Sequence, residues 1–283
     1  MEKIVFLYDS ACTIGDEEAK KLNAIKIPLM IIEGEKIFND LPEEINSKQI
    51  IDGMKKGLSY KTSMTSLGKL IVMIEELSEK YDRIIFFPVS KGLSGQYDQA
   101  KNLESQYPKF SCIDARDGLD VTAQLMREAR ALLQKGGSLQ QIQELANKRH
   151  TKFGCMFALN SVEGLIRSGR AGKTLGGLAK ALKIKILVNF STSLEKVAFV
   201  TKMEKALDRM LAFLKAKLKL TDTSVIKRIC IYDGAASPKL IEYLISKCKQ
   251  VLKISYDPEI LFLPNIFVVH AYENALGLTI EVE

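Results

Sequence analysis

Cysteine and histidine are scarce in this chain of 283 residues. The five cysteines (Cys12, Cys112, Cys155, Cys230 and Cys248) are odd in number and contain no C-x-x-C pair, and the only histidines are His150 and His270. Neither a Cys/His zinc site nor a disulfide framework is expected, and the thiols read as reduced and partly buried. No residues are assigned to a metal and no cofactor is expected. No stretch reaches the roughly 18 consecutive apolar residues that would span a bilayer. The opening Met1-Glu2-Lys3-Ile4-Val5-Phe6 lacks the long apolar segment and small-residue cleavage site of a signal peptide, so a cytoplasmic location is expected. Internal repeats, low-complexity tracts and long linkers are missing as well.

What remains is an ordinary globular composition, 47% apolar and 27% charged, enough to bury a sizeable core. At about 150 residues per domain, the length suggests two domains. Charge divides the chain at the same place. Residues 1–150 carry 21 Lys and Arg against 22 Asp and Glu, whereas residues 151–283 carry 20 against 12 and net +8. The expected domains are therefore 1–150 and 151–283. The basic second half fits an acidic protein partner, a transient contact with a membrane surface, or merely a solvated face. No zinc finger, RNA-recognition signature or Arg-rich tail supports a nucleic-acid partner.

The first half alternates between strand and helix patterns. Lys3–Tyr8, Ile25–Ile32, Arg83–Val89 and Phe110–Ile113 are apolar runs of strand length, with Pro28 inside the second. Helical patterns lie at about 47–57, 67–80, 95–106, 117–135 and 138–149. Such alternation predicts an α/β fold, a parallel sheet covered by helices on both faces. The second half reads as α+β. Strands are expected at Phe153–Leu159, Lys185–Phe190, Lys196–Thr201, Arg228–Asp233 and Ile266–Ala271. A long amphipathic helix carries Met203, Leu207, Met210, Leu211, Leu214 and Leu218 on one face, and a further helix spans 237–250.

In an open parallel sheet, ligands bind beyond the carboxyl ends of the strands. Hydroxyls gather there: Asp9-Ser10 after the first strand, Thr62-Ser63 before a helix, and Ser90-Lys91-Gly92-Leu93-Ser94-Gly95 after the third strand. Such loops can receive an anion on free N–H groups, and equally they can simply cap helices. Two look-alikes are weak. Gly172-Lys173-Thr174 resembles the end of a P-loop, but the motif needs glycine where Arg167 stands. Gly92-Leu93-Ser94-Gly95-Gln96 resembles a nucleophile elbow with Gln96 in place of the last glycine. Ser94 with His270 keeps a serine acyl hydrolase or acyltransferase as the alternative.

Several segments, taken in order, resemble one family. They are Asp9-Ser10, Thr62-Ser63-x-x-Ser66, Ser90-x-Gly92-Leu93-Ser94-Gly95-x-Tyr97-x-x-Ala100, Gly164-Leu165-Ile166-x-Ser168-Gly169-Arg170, and a late His270 with Gly277. This order is similar to the DegV family, fatty-acid-binding proteins that include the FakB subunit of bacterial fatty acid kinase. The resemblance implies a non-catalytic, two-domain α/β protein holding one long-chain fatty acid in a buried tunnel between the domains. It would present the carboxylate to a FakA-like kinase subunit, for acyl-phosphate formation and phospholipid synthesis. Carried over by position, Thr62, Ser94, Gly95 and His270 would bind the carboxylate, with Asp9, Ser10, Ser63 and Ser90 nearby. Arg170 would contact the kinase. The chain departs from the family pattern in three places: Thr65 replaces a usual proline, Gln96 a usual threonine, and Tyr272-Glu273-Asn274 a Gly-Pro-Gly turn. A lipid ligand is energetically reasonable, since burying about fifteen methylenes at ~0.8 kcal/mol each yields on the order of 12 kcal/mol gross, from which ordering costs are subtracted. Its carboxylate must keep hydrogen-bond partners.

Overall fold

The computed structural model describes residues 2–116, 118–170, 184–190 and 194–283. The Gly172-Lys173-Thr174 look-alike lies outside them. The chain divides into two compact units, one of Met1–Asn46 with Thr62–His150, the other of Ser47–Lys61 with Thr151–Glu283. The short segment 47–61 thus groups with the second unit although it precedes the break at 150.

In the first unit, β1 (Ile4–Asp9), β2 (Ala24–Ile27), β6 (Arg83–Phe87) and β7 (Phe110–Cys112) form a parallel sheet in the order β2-β1-β6-β7. The side-chain period of two sorts the continuous apolar run of β1 onto two faces. Phe6 and Tyr8 join Ile85 and Phe87 on one face. There they pack on Ala123, Leu125, Met126 and Ala129 of α5 (Leu119–Gln134) and on Ile142 and Ala146 of α6 (Leu139–His150). Val5 and Leu7 join Ile84 and Phe86 on the other, against Leu70, Ile74 and Leu77 of α3 (Leu67–Ser78). Helices on both faces are what the strand–helix alternation predicts. Short α1 (Asp16–Lys21) connects β1 to β2.

The expected single strand at 25–32 is two. Pro28 has no N–H to continue the ladder, so β2 ends at Ile27 and β3 (Met30–Glu33) starts a separate three-stranded sheet. Its order is β4-β3-β5, with β4 at Lys36–Asn39 and β5 at Tyr60–Ser63. Ser10 Oγ accepts the Leu29 N–H at 3.1 Å and so holds this break to the end of β1.

The second unit is a six-stranded sheet, β10-β9-β8-β13-β11-β12, in which the β11–β12 pair is parallel and the other pairs are antiparallel. The strands are β8 (Phe153–Leu159), β9 (Lys185–Phe190), β10 (Leu194–Val200), β11 (Ile226–Gly234), β12 (Glu259–Phe262) and β13 (Ala275–Val282). One face, with Met156, Ala158, Ile229, Ile231, Leu276 and Leu278, packs on the apolar stripe of α8 (Met203–Lys217) and on Leu244 and Cys248 of α9 (Pro238–Leu252). The other face carries aromatic rings: Phe157 lies 5.4 Å from Phe190 and 6.0 Å from Tyr232 between centroids.

The expected strand at 266–271 is a helix, α10 (Asn265–Ala271). A short apolar run cannot be told from a buried helical turn by periodicity. Here Pro264 stands at the N-cap in an extended conformation, φ −54° and ψ 144°, and its missing N–H costs nothing where a helix begins. Four strands are not expected from the sequence: the short β4, β5 and β12, and β13, which lies in the middle of the sheet between β8 and β11.

The connections leave β1 in opposite directions, toward β2 on one side and β6 on the other, so β1 and β6 flank the switch point of the parallel sheet. Asp9 sits there, 1% exposed, and its carboxylate accepts the Ala11 N–H at 3.1 Å and the Val89 N–H at 2.8 Å. Burial pushes its pKa up to about 7, against the pull of those two N–H donors, and the charge of Asp40 adds to the rise. A carboxyl raised above its unfolded value of about 4 binds its proton more readily when folded, so stability falls as pH climbs from about 4 to about 7. Urea unfolding at pH 5 and pH 8 is expected to show a larger loss for the native chain than for Asp9→Asn. An equal loss would remove Asp9 as the titrating group.

Candidate functional site

The first unit gathers its hydroxyls at the carboxyl end of the switch point. The turn after β6 folds on itself through Leu93 N–H and Ser94 N–H, both donated to the Ser90 carbonyl at 2.9 and 3.2 Å. Ser90 is fully buried, and its Oγ has no partner among the described residues. A buried hydroxyl without a partner costs free energy unless something else meets it. Ser94 is half-buried; its Oγ accepts the Gln96 N–H at 3.3 Å, which leaves the hydroxyl proton available for donation. Among the described residues no acceptor takes the Gly95 N–H. The helix that follows, α4 (Gln96–Lys101), has only six residues, so the turn itself supplies the donors rather than a long helix dipole.

Thr62 and Ser63 end β5, and the loop from them to α3 lies against this turn. Met64 Sδ stands 3.0 Å from where a Cβ on Gly95 would be. Thr65 N–H donates to Gln96 Oε1 at 3.0 Å, and Gln96 Nε2 donates to Thr65 Oγ1 at 3.1 Å. The loops bearing Thr62, Ser94 and Gly95 are thereby brought together. Asp9 and Ser10 sit beside them with their polar atoms occupied by backbone N–H groups, so both work as struts of the site. The sequence reading had Thr65 and Gln96 only as two separate departures from a pattern. That two departures fell on facing loops was the available signal of their pairing.

His270 belongs to the second unit. Its Nδ1 lies 2.7 Å from Ser168 Oγ, and Ser168 spends its one proton on the Gly164 carbonyl at 2.5 Å. The network therefore places the imidazole proton on Nδ1, donating to Ser168, and leaves Nε2 as an acceptor. Burial, reinforced by the positive Arg170, pushes the ring down to about pKa 3. Arg170 itself is exposed. Gly164 of α7 (Glu163–Arg167) makes this packing possible, since a Cβ there would stand 2.4 Å from the His270 carbonyl oxygen. Gly277 lies in β13 opposite Phe157 and Tyr232.

With this geometry in place, comparison with known proteins is informative. The model of the DegV family, described as uncharacterised proteins, matches residues 3–283. The chain belongs to the DegV family. A DegV domain-containing protein of Ureaplasma parvum is 26% identical over 285 residues, covering 99% of this chain and 95% of that protein. A fatty-acid-binding DegV family protein from Thermus thermophilus superposes with a TM-score of 0.82 at 19% identity, covering 99% of this chain and 100% of its own. A stearic acid-binding protein from Eubacterium ventriosum gives 0.81 at 19% identity, covering 100% and 98%. These matches make the two-unit α/β fold that of DegV proteins.

The segment after His270 shows how this DegV chain manages without glycine. Tyr272 has φ 60° and ψ −170°, a region that is essentially glycine's, and Asn274 has φ 58°. Lys55 of α2 (Ser47–Lys55) pairs with Glu273 at 2.6 Å between them, and Tyr272 N–H donates to the Val268 carbonyl at 2.9 Å. A non-glycine residue held there costs about 1–3 kcal/mol. Tyr272→Gly is expected to be more stable than Tyr272→Ala by about 1–2 kcal/mol in urea unfolding, the reverse of the usual order, because both lose the ring and only glycine relieves the backbone. Alanine matching or exceeding glycine would show that position 272 has no positive φ.

Proposed function

We propose that this DegV protein binds one long-chain fatty acid and presents its carboxylate to a kinase subunit for phosphorylation. The carboxylate is held by the Thr62 and Ser94 hydroxyls and the Gly95 N–H; His270, expected from the sequence as a further partner, gives its one ring proton to Ser168 and has none to donate to a carboxylate. The observation that carries this reading is the turn 90–95: a fully buried Ser90 hydroxyl with no partner among the described residues, next to a Ser94 proton and a Gly95 N–H that no described acceptor takes. Such uncharged donors suit a single carboxylate whose chain is taken up elsewhere. The fatty acids bound by the Thermus and Eubacterium proteins of the same fold support the choice of ligand. The protein itself carries out no chemistry on it.

Native mass spectrometry of the purified chain, with lipid extraction, is expected to show one fatty acid per chain, and Thr62→Ala with Ser94→Ala to lower affinity for added fatty acid by at least tenfold. Recovery of no stoichiometric fatty acid, even after exposure to one, would sink the proposal. Labelling of Ser94 by a fluorophosphonate with turnover of simple esters would establish the hydrolase instead. Reconstitution with a fatty acid kinase subunit is expected to yield acyl phosphate, and Arg170→Glu to slow that reaction with fatty acid still bound. An unchanged rate would remove Arg170 from the partner surface.

A further inference from the structure

Gln96 is fully buried, yet its carboxamide and its backbone N–H are both engaged. Oε1 accepts the Thr65 N–H at 3.0 Å, and Nε2 donates to Thr65 Oγ1 at 3.1 Å. Thr65 spends its own proton on the Pro28 carbonyl at 2.8 Å, so its oxygen can only accept from Gln96, which fixes the orientation of the amide. Gln99 Nε2 donates to the Thr65 carbonyl at 3.0 Å. At the other end, the Gln96 N–H donates to Ser94 Oγ at 3.3 Å and so turns the Ser94 proton away from its own turn. One residue thus ties the loop of Thr62 to the turn of Ser94 and Gly95 and also orients one of the donors. Buried networks in which every member is satisfied rigidify and specify one arrangement.

We infer that Gln96 and Thr65 form an uncharged clamp that sets the spacing of the carboxylate donors, with Gln96 as a positioning residue that need not touch the ligand. The inference rests on the fatty-acid reading above. It separates the head group from the chain: loss of the clamp should weaken recognition of a carboxylate and spare the contribution of the acyl chain.

The test compares hexadecanoic acid with hexadecanol on the full-length chain, each displacing a fluorescent lipid. Gln96→Leu, close in volume, removes the side-chain bonds. It is expected to weaken binding of the acid at least tenfold and that of the alcohol less than twofold. Thr65→Val is expected to show the same selectivity at about threefold, and the double variant to lose no more than Gln96→Leu alone, because the pair acts as one unit. Equal losses for acid and alcohol, or none for the acid, would overturn the clamp. Should Gln96→Leu fail to fold, as judged by its melting curve, Thr65→Val decides by the same criterion. If the unmodified chain binds neither lipid, the fatty-acid reading itself fails, an outcome distinct from a native chain that binds the acid and a variant that binds it equally well.

Discussion

The first unit depends on how the carboxyl ends of β1 and β6 are held side by side. At a switch point the chain leaves two neighbouring strands in opposite directions, so no common connection covers the N–H groups beyond their ends. The Asp9 carboxylate takes one from each side, Ala11 and Val89. The interaction is costly, since the group is almost fully removed from water and its pKa climbs accordingly. In return it anchors the start of the turn that carries Ser90, Ser94 and Gly95. Ser10, the next residue, does the same for the Pro28 break. The donors of the site thus stand on a framework whose own polar groups are already satisfied, which leaves the turn's remaining hydroxyls and N–H for something else.

The first unit was legible because its physics is local. A buried parallel strand is an apolar run with polar ends, and Lys3–Tyr8 and Arg83–Val89 are such runs; the helices between them show a single apolar stripe. The second unit was less so. In Phe267-Val268-Val269-His270-Ala271 the residue types favour a strand, but Pro264 sets the start of a helix. Nothing in a window of seven residues settles that conflict. Ala275–Val282 was passed over for a related reason. Leu276, Leu278, Ile280 and Val282 do alternate with Ala275, Gly277, Thr279 and Glu281, but of the intervening residues Ala275, Gly277 and Glu281 are small or charged types poor in strand preference, although both faces of this central strand are covered.

The site was legible as a set of residue types at strand ends and illegible as a set of hydrogen bonds. Position alone drew attention to Asp9, Ser10, Ser90 and Ser94, yet it could not say which of them spend their polar atoms on the fold. Asp9 and Ser10 do, Ser90 does not, and the difference is one of partner atoms. Nor could sequence show that His270 would meet Ser168, 102 residues away, and be held in one tautomer by it. Thr65 and Gln96 look unrelated in the sequence, because 31 positions separate two residues that are partners twice over.

On the proposed fatty-acid reading, a site made of neutral donors has a consequence for how binding energy is divided. Each hydrogen bond to a carboxylate contributes about 1.5–3 kcal/mol net, so three of them would supply several kcal/mol and mainly offset the desolvation of the head group. The acyl chain, at ~0.8 kcal/mol per methylene, would supply the larger share. Affinity then follows chain length and fit, whereas the loops decide what sits at the end of the chain and where it points. A lysine among the donors would add attraction, but it would also hold the carboxylate against transfer to another protein. If the ligand is to be presented and released as proposed, weak, well-aimed contacts at the head group and strong, undirected ones along the chain are the arrangement in which both steps remain possible.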